Sequence, residues 1–144
     1  MEIYRENQIL SSFSDDQKLI HQSKHLLLEL YRCDCEKLND ESFLRCILNK
    51  AAKLAKAKVL NLISNKFEPQ GVTAIALLAE SHISIHTWPE SNYSAVDIFT
   101  CGQNMKPELA CQYLIETLEV KEHFLRVINR NPPISIQNQI GINS

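Results

Sequence analysis

Only three glycines occur in 144 residues, standing singly at 71, 102 and 141. Neither a G-x-G-x-x-G dinucleotide fingerprint nor a P-loop can be written with them. An excess of charge is missing too. The chain carries 15 Lys and Arg against 17 Asp and Glu, and its basic residues are scattered apart from Lys50, Lys53, Lys56 and Lys58. That spacing is the wet face of a helix, so no nucleic-acid partner is expected. No apolar run approaches the ~18 residues of a membrane span. The polar opening "MEIYRENQILSSFSDD" lacks the charged-then-apolar layout of a signal peptide, which makes the cytoplasm the expected compartment and a membrane partner unexpected. Five cysteines, at 33, 35, 46, 101 and 111, are an odd number for a disulfide framework.

What is present fits one domain with one core. Residues 1–22 are polar and weakly periodic and read as an N-terminal extension. From His25, "HLLLELYRC" has the composition of a buried strand. Asn39 or Asp40 then caps a helix whose apolar residues recur at Phe43, Leu44, Ile47, Leu48, Ala51 and Ala55. "KVLNLISNKFE", the turn "PQG" and "VTAIALLAES" form a hairpin, and strand continues through "HISIHTW" to Pro89. "AVDIFTCG" is a further strand. Pro107 opens a second helix with Leu109, Ala110, Tyr113, Leu114 and Leu118 on its apolar side, and "HFLRVIN" closes the domain before a tail at 131–144.

The order strand, helix, two strands, then two strands, helix, strand is mirrored about its middle. It predicts an α+β fold over 23–130: a single-domain α/β sandwich, its sheet rich in antiparallel pairs and both helices on one face. The other face then needs cover, which a second copy of the chain would supply.

The segment "LLAESHISIHTWPES", residues 77–91, carries two histidines, three serines and a tryptophan on a strand. Its Ile83, Ile85 and Thr87 alternate with His82, Ser84 and His86, and the second set is costly to bury without partners. Together, "ESHISIHTWPE" and "VDIFTCG" resemble the bacterial and archaeal S-adenosylmethionine decarboxylase proenzymes, over roughly residues 24–128. The resemblance implies cleavage between Glu80 and Ser81, giving a β chain of 1–80 and an α chain of 81–144 whose first residue has become a pyruvoyl group. No standard side chain offers such a ketone, and decarboxylation needs an electron sink. The implied chemistry is a Schiff base between the substrate's α-amine and that carbonyl, with no pyridoxal phosphate and no metal. The implied product is the aminopropyl donor of spermidine synthesis.

The same resemblance implies roles residue by residue. His86 removes a proton in the elimination that completes cleavage, a task suited to a neutral imidazole. Thr73 holds the hydroxyl that binds the shifting carbonyl. Cys101 returns a proton to the substrate's α-carbon, since a thiol is mostly protonated at neutral pH. Phe67 stacks on the adenine and Glu90 holds the ribose hydroxyls. Relatives of this kind assemble as homodimers of processed protomers with sites completed from both copies.

Each residue also has a plainer reading. Ser81 can be a strand serine, His86 a hydrogen-bonded core histidine, Cys101 a small buried hydrophobe. His82 with His86 has the spacing of a same-face metal pair, but no third ligand accompanies it. Cys33 and Cys35 suggest a half-site only if Cys46 joins them, and packing is the expectation for these and for Cys111. Trp88 is expected in the core. Two other functions remain open at this point: a pyruvoyl enzyme acting on arginine or ornithine, and a binding protein that never cleaves.

Overall fold

The computed structural model describes residues 23–130. The extension at 1–22 and the tail at 131–144 lie outside the described residues. Six strands form one sheet: β1 Ser23–Tyr31, β2 Val59–Lys66, β3 Val72–Leu78, β4 Ser81–Trp88, β5 Tyr93–Cys101 and β6 Glu122–Arg130, in the spatial order β2-β3-β4-β5-β1-β6. Every neighbouring pair is antiparallel. Three helices accompany them: α1 Cys35–Leu38, α2 Glu41–Leu54 and α3 Pro107–Thr117. The expected mirrored order is present.

Helix α2 forms where the apolar stripe requires it. Asp40 caps it by accepting from the Phe43 N–H at 2.9 Å, and Leu44, Ile47, Leu48, Ala51 and Ala52 are its buried residues. The short α1, which the sequence reading missed, is capped by Asp34, whose carboxylate accepts from the Glu36 and Lys37 N–H groups. Helix α3 starts at Pro107 with no side-chain cap, Lys106 being unable to accept a bond.

Both long helices pack on one side of the sheet, α2 over β2 and β3, α3 over β1 and β5, with each other as neighbours. Between helices and sheet lie Leu26, Leu28, Leu30, Ala74, Ala76, Ile83, Ile85, Val96 and Ile98, all buried. Each fully buried leucine or isoleucine contributes ~1.5–3 kcal/mol. Thr87 faces the same way and is satisfied there: its hydroxyl donates to the Leu38 carbonyl at 2.7 Å and accepts from the Val72 N–H at 2.8 Å.

The opposite face has no helix against it. Its residues include Ile63, Leu77, Trp88, Tyr31 and Ile128, each more than a third exposed, with Ile63 at 58% and Leu77 at 51%. Trp88 therefore departs from the expected core position. Even numbering puts it on the open face with His82, Ser84 and His86, where it stacks on Tyr93 at 5.1 Å between centroids.

Candidate functional site

Ser81 is the first residue of β4, directly after the two-residue loop Ala79–Glu80. Its φ is +149°, a conformation that side-chain-bearing residues rarely adopt and whose cost is of order 1–3 kcal/mol. The pairing of β4 with β5 sets it opposite Thr100, so its Oγ lies 4.0 Å from the Sγ of Cys101. The Cys101 backbone N–H donates to the Glu80 carbonyl at 3.1 Å, which is the carbonyl of the Glu80–Ser81 peptide. The Glu80 carboxylate accepts from the Lys58 N–H, also at 3.1 Å.

A fourth group at this end went unnoticed in the sequence. Ser23, buried, sits opposite Cys101 in the β1–β5 pairing, with its Oγ 3.0 Å from the Cys101 Sγ. It falls where the polar extension gives way to β1, and only the strand register reveals it. Beside it a recess of about 230 Å³ is lined by Lys24, Thr100, Gly102, Gln103, Met105 and Pro107. Lys24 is paired there with Glu108 at 3.0 Å.

The other residues singled out lie at the opposite end of the strand. Thr73 of β3 sits across from His86 of β4, and Thr73 Oγ1 and His86 Nδ1 share a 2.9 Å hydrogen bond. Phe67 follows β2 in the turn before β3 and is half exposed. Glu90 lies exposed in the 3-10 turn Pro89–Ser91 that follows β4. This end of the strand is also where the Phe67–Gly71 turn meets Pro89: a Cβ added to Gly71 would stand 3.0 Å from the Thr87 carbonyl oxygen. From Ser81 to His86 is five residues of strand, about 16 Å. Within one chain, then, the candidate residues form two groups: Glu80, Ser81 and Cys101 at one end, Thr73 and His86, with Phe67 and Glu90, at the other. An imidazole at that distance cannot take a proton from residue 81 of its own chain.

The metal reading also fails on distance. His82 and His86 are separated by four strand residues, about 13 Å, too far to share an ion. Among the described residues there is no group of three His, Cys, Asp or Glu arranged to hold a metal. His82 instead belongs to an aromatic group with His25 and Phe99, at 6.5 and 5.9 Å between centroids. His25 is bonded to Asp97 at 3.1 Å, and Arg130 lies 5.1 Å over the Phe99 ring. Of the polar residues on this strand, His82 and His86 are partly exposed on the face without helices, while Ser84 between them is buried.

The five thiols are all free. Burial pushes Cys33 up to about 11. Burial, with the Glu108 carboxylate adding to it, pushes Cys111 up to about 12. Both stay protonated and inert near neutrality. Cys35 and Cys46 are exposed and far apart in role from Cys101, which alone stands beside Ser81. On the open face burial raises the Tyr93 phenol well above its ordinary value, and the Glu29 carboxylate it bonds adds to the shift.

A family model described as S-adenosylmethionine decarboxylase matches residues 24–131. An S-adenosylmethionine decarboxylase proenzyme of Prochlorococcus marinus (strain MIT 9211) is 56% identical over 117 residues, covering 81% of this chain and 96% of the relative. A proenzyme of the same name from Synechococcus sp. (strain WH7803) is 58% identical over 113 residues, covering 78% and 88%. The crystal structure of the adenosylmethionine decarboxylase from Aquifex aeolicus VF5 is 35% identical, with a TM-score of 0.74 over 81% of this chain and 96% of that one.

Proposed function

The chain belongs to the S-adenosylmethionine decarboxylase family, and from that membership we propose that it cuts its own Glu80–Ser81 bond, converts Ser81 to a pyruvoyl group and decarboxylates S-adenosylmethionine. The shared name of these relatives favours this substrate over arginine or ornithine, and the word proenzyme favours cleavage over a permanently intact binding protein.

The observation that carries the reading is the scissile peptide itself. Ser81 has a strained backbone, and the carbonyl before it already receives a hydrogen bond from the Cys101 N–H. As the Ser81 hydroxyl attacks that carbonyl carbon, negative charge gathers on its oxygen, where the N–H is aimed. The C–N bond then breaks, the nitrogen takes the hydroxyl proton, and an ester replaces the amide. A base next removes the Ser81 α-proton and the Glu80 carboxylate departs with Oγ. The dehydroalanine left at residue 81 takes up water and loses ammonia.

A carbonyl at residue 81 fits its surroundings, because it begins a strand with the Cys101 thiol nearby. Once formed, the pyruvoyl group supplies an electron sink for the pair left behind by carbon dioxide. Cys101 delivers the proton that restores the α-carbon. Phe67 stacks on the adenine and the adjoining sulfonium is drawn to an aromatic face, while Glu90 accepts from the ribose hydroxyls.

His86 and Thr73 act on a second chain. We read the protein as a cytoplasmic homodimer in which the open sheet faces meet, so that the His86 end of one protomer lies against the Ser81 end of its partner. Support comes from the ~16 Å spacing, which sets His86 out of reach of its own residue 81, and from the apolar residues Ile63, Leu77, Trp88 and Ile128 on the uncovered face. The product is the aminopropyl donor for spermidine synthesis.

Intact mass under denaturing conditions tests the reading. The 16.5 kDa chain should resolve into fragments of about 9 and about 7 kDa, in the ratio of 80 to 64 residues, the smaller with a blocked N-terminus. A single full-length species after long incubation overturns it.

A further inference from the structure

We propose that the Glu80 side chain is a positioning residue for self-cleavage: its carboxylate, anchored on the Lys58 N–H, holds the β3–β4 turn in the form that forces the positive φ onto Ser81. The inference rests on the cleavage reading above and assigns a role to the side chain, whereas that reading used only the Glu80 carbonyl.

The reasoning begins with turn chemistry. Leu78 pairs with Ser81, so Ala79 and Glu80 form a two-residue hairpin loop. Loops of that length favour the primed turns, which match the right-handed twist of the strands and need a positive φ at the first or at both loop positions, usually on Gly, Asn or Asp. This loop contains none of these residues, and neither Ala79 nor Glu80 has a positive φ. The backbone instead places it one residue later, on Ser81 at +149°.

Something must prevent the turn from relaxing, and Lys58, the residue before β2, supplies two bonds to it. Its carbonyl accepts from the Ala79 N–H at 2.9 Å, and its N–H donates to the Glu80 carboxylate at 3.1 Å. Glu80 is therefore gripped twice on the N-terminal side of the scissile bond, the side chain by the approach to β2 and the carbonyl by the Cys101 N–H at the end of β5. The bond to Lys58 has an ionised acceptor, the stronger kind of hydrogen bond. Breaking it frees the loop to turn and the Ser81 backbone to relax, moving its hydroxyl off the line of attack.

The test follows cleavage of freshly folded full-length chain by mass over time. Glu80→Ala is expected to slow fragment formation about tenfold without altering the far-ultraviolet spectrum. Glu80→Gln, whose amide oxygen accepts the same N–H, recovers most of that rate. Ala79→Gly, which offers the positive φ to the first loop position, slows cleavage with the Glu80 carboxylate still in place. Cleavage of Glu80→Ala at the parent rate, or a Gln variant no faster than Ala, overturns the clamp while leaving the processing reading intact. A parent chain that stays uncleaved overturns both.

Discussion

The two ends of β4 differ in kind. At the Ser81 end the backbone is strained, the carbonyl is already polarised and a thiol stands 4.0 Å from the hydroxyl. At the His86 end the strand is regular, and the imidazole is bonded to Thr73 at 2.9 Å with nothing reactive in reach. In the proposed reaction one end holds the group to be transformed and the other the group to transform it, with about 16 Å of strand between. A sheet with one uncovered face can join such halves by meeting a second copy of itself.

That contrast breaks most sharply under mixing. Ser81→Ala has no hydroxyl to attack with, and His86→Ala has no base, so each variant alone is expected to remain a full-length chain with no decarboxylase activity. Co-expressed, they should restore cleavage of the His86→Ala chain only, because its Ser81 meets the intact His86 of its partner. Mass spectrometry of the two distinguishable chains reads the result. Cleavage of His86→Ala by itself would show that both steps run within one end of one chain.

Cys101 separates the two tasks of the Ser81 end. In the proposed reaction its backbone N–H serves cleavage and its thiol serves turnover, so Cys101→Ala is expected to form both fragments yet lose about 10²–10⁴ in kcat, the usual contribution of a general acid. Full turnover by this variant would remove the thiol from the site. A chain that fails to cleave would give the side chain a part in processing as well.

The uncovered face provides the next test. Leu77 is half exposed there, next to His82 in register, and Leu77→Glu would bury a charge between two copies at a cost of several kcal/mol. Sedimentation should show dissociation, with cleavage slowed at least about tenfold and becoming dependent on protein concentration. A monomeric variant that cleaves at the parent rate would sever processing from assembly.

Much of this arrangement was written in the sequence. Alternation along β4 gave Ile83, Ile85 and Thr87 to the helices and His82, Ser84 and His86 to the other face, and mirrored element order gave the two helices one side. Even the separation of Ser81 from His86 was available, since five strand residues have a fixed length. What could not be read was where strain would collect. Strict alternation aligns Ser81 with Ile83 and Ile85, and only its positive φ and the register of β5 bring the hydroxyl near Cys101. Trp88 was misassigned because aromatic size argues for burial, whereas the strand's parity carries it to the open face against Tyr93. The four residues of α1 were too few for a periodic signal, although Asp34 was present as their cap.

The smallest expected effect distinguishes two hydroxyls at the same end. Ser81 Oγ and Ser23 Oγ lie near the same thiol, at 4.0 and 3.0 Å, and the proposed cleavage consumes only the first. If Cys101 delivers the proton as proposed, Ser23 would hold its side chain and donate to the thiolate left behind, a charge-assisted bond that strengthens as the proton leaves. Ser23→Ala is therefore expected to cleave normally and to lower kcat about fivefold with KM unchanged, because the lost interaction develops with the transferring proton rather than with substrate binding. A rise in KM alone would make Ser23 a substrate contact rather than a partner of the thiol. Slower cleavage would make it part of the frame that sets the β1–β5 register, on which the placement of Cys101 against Ser81 depends.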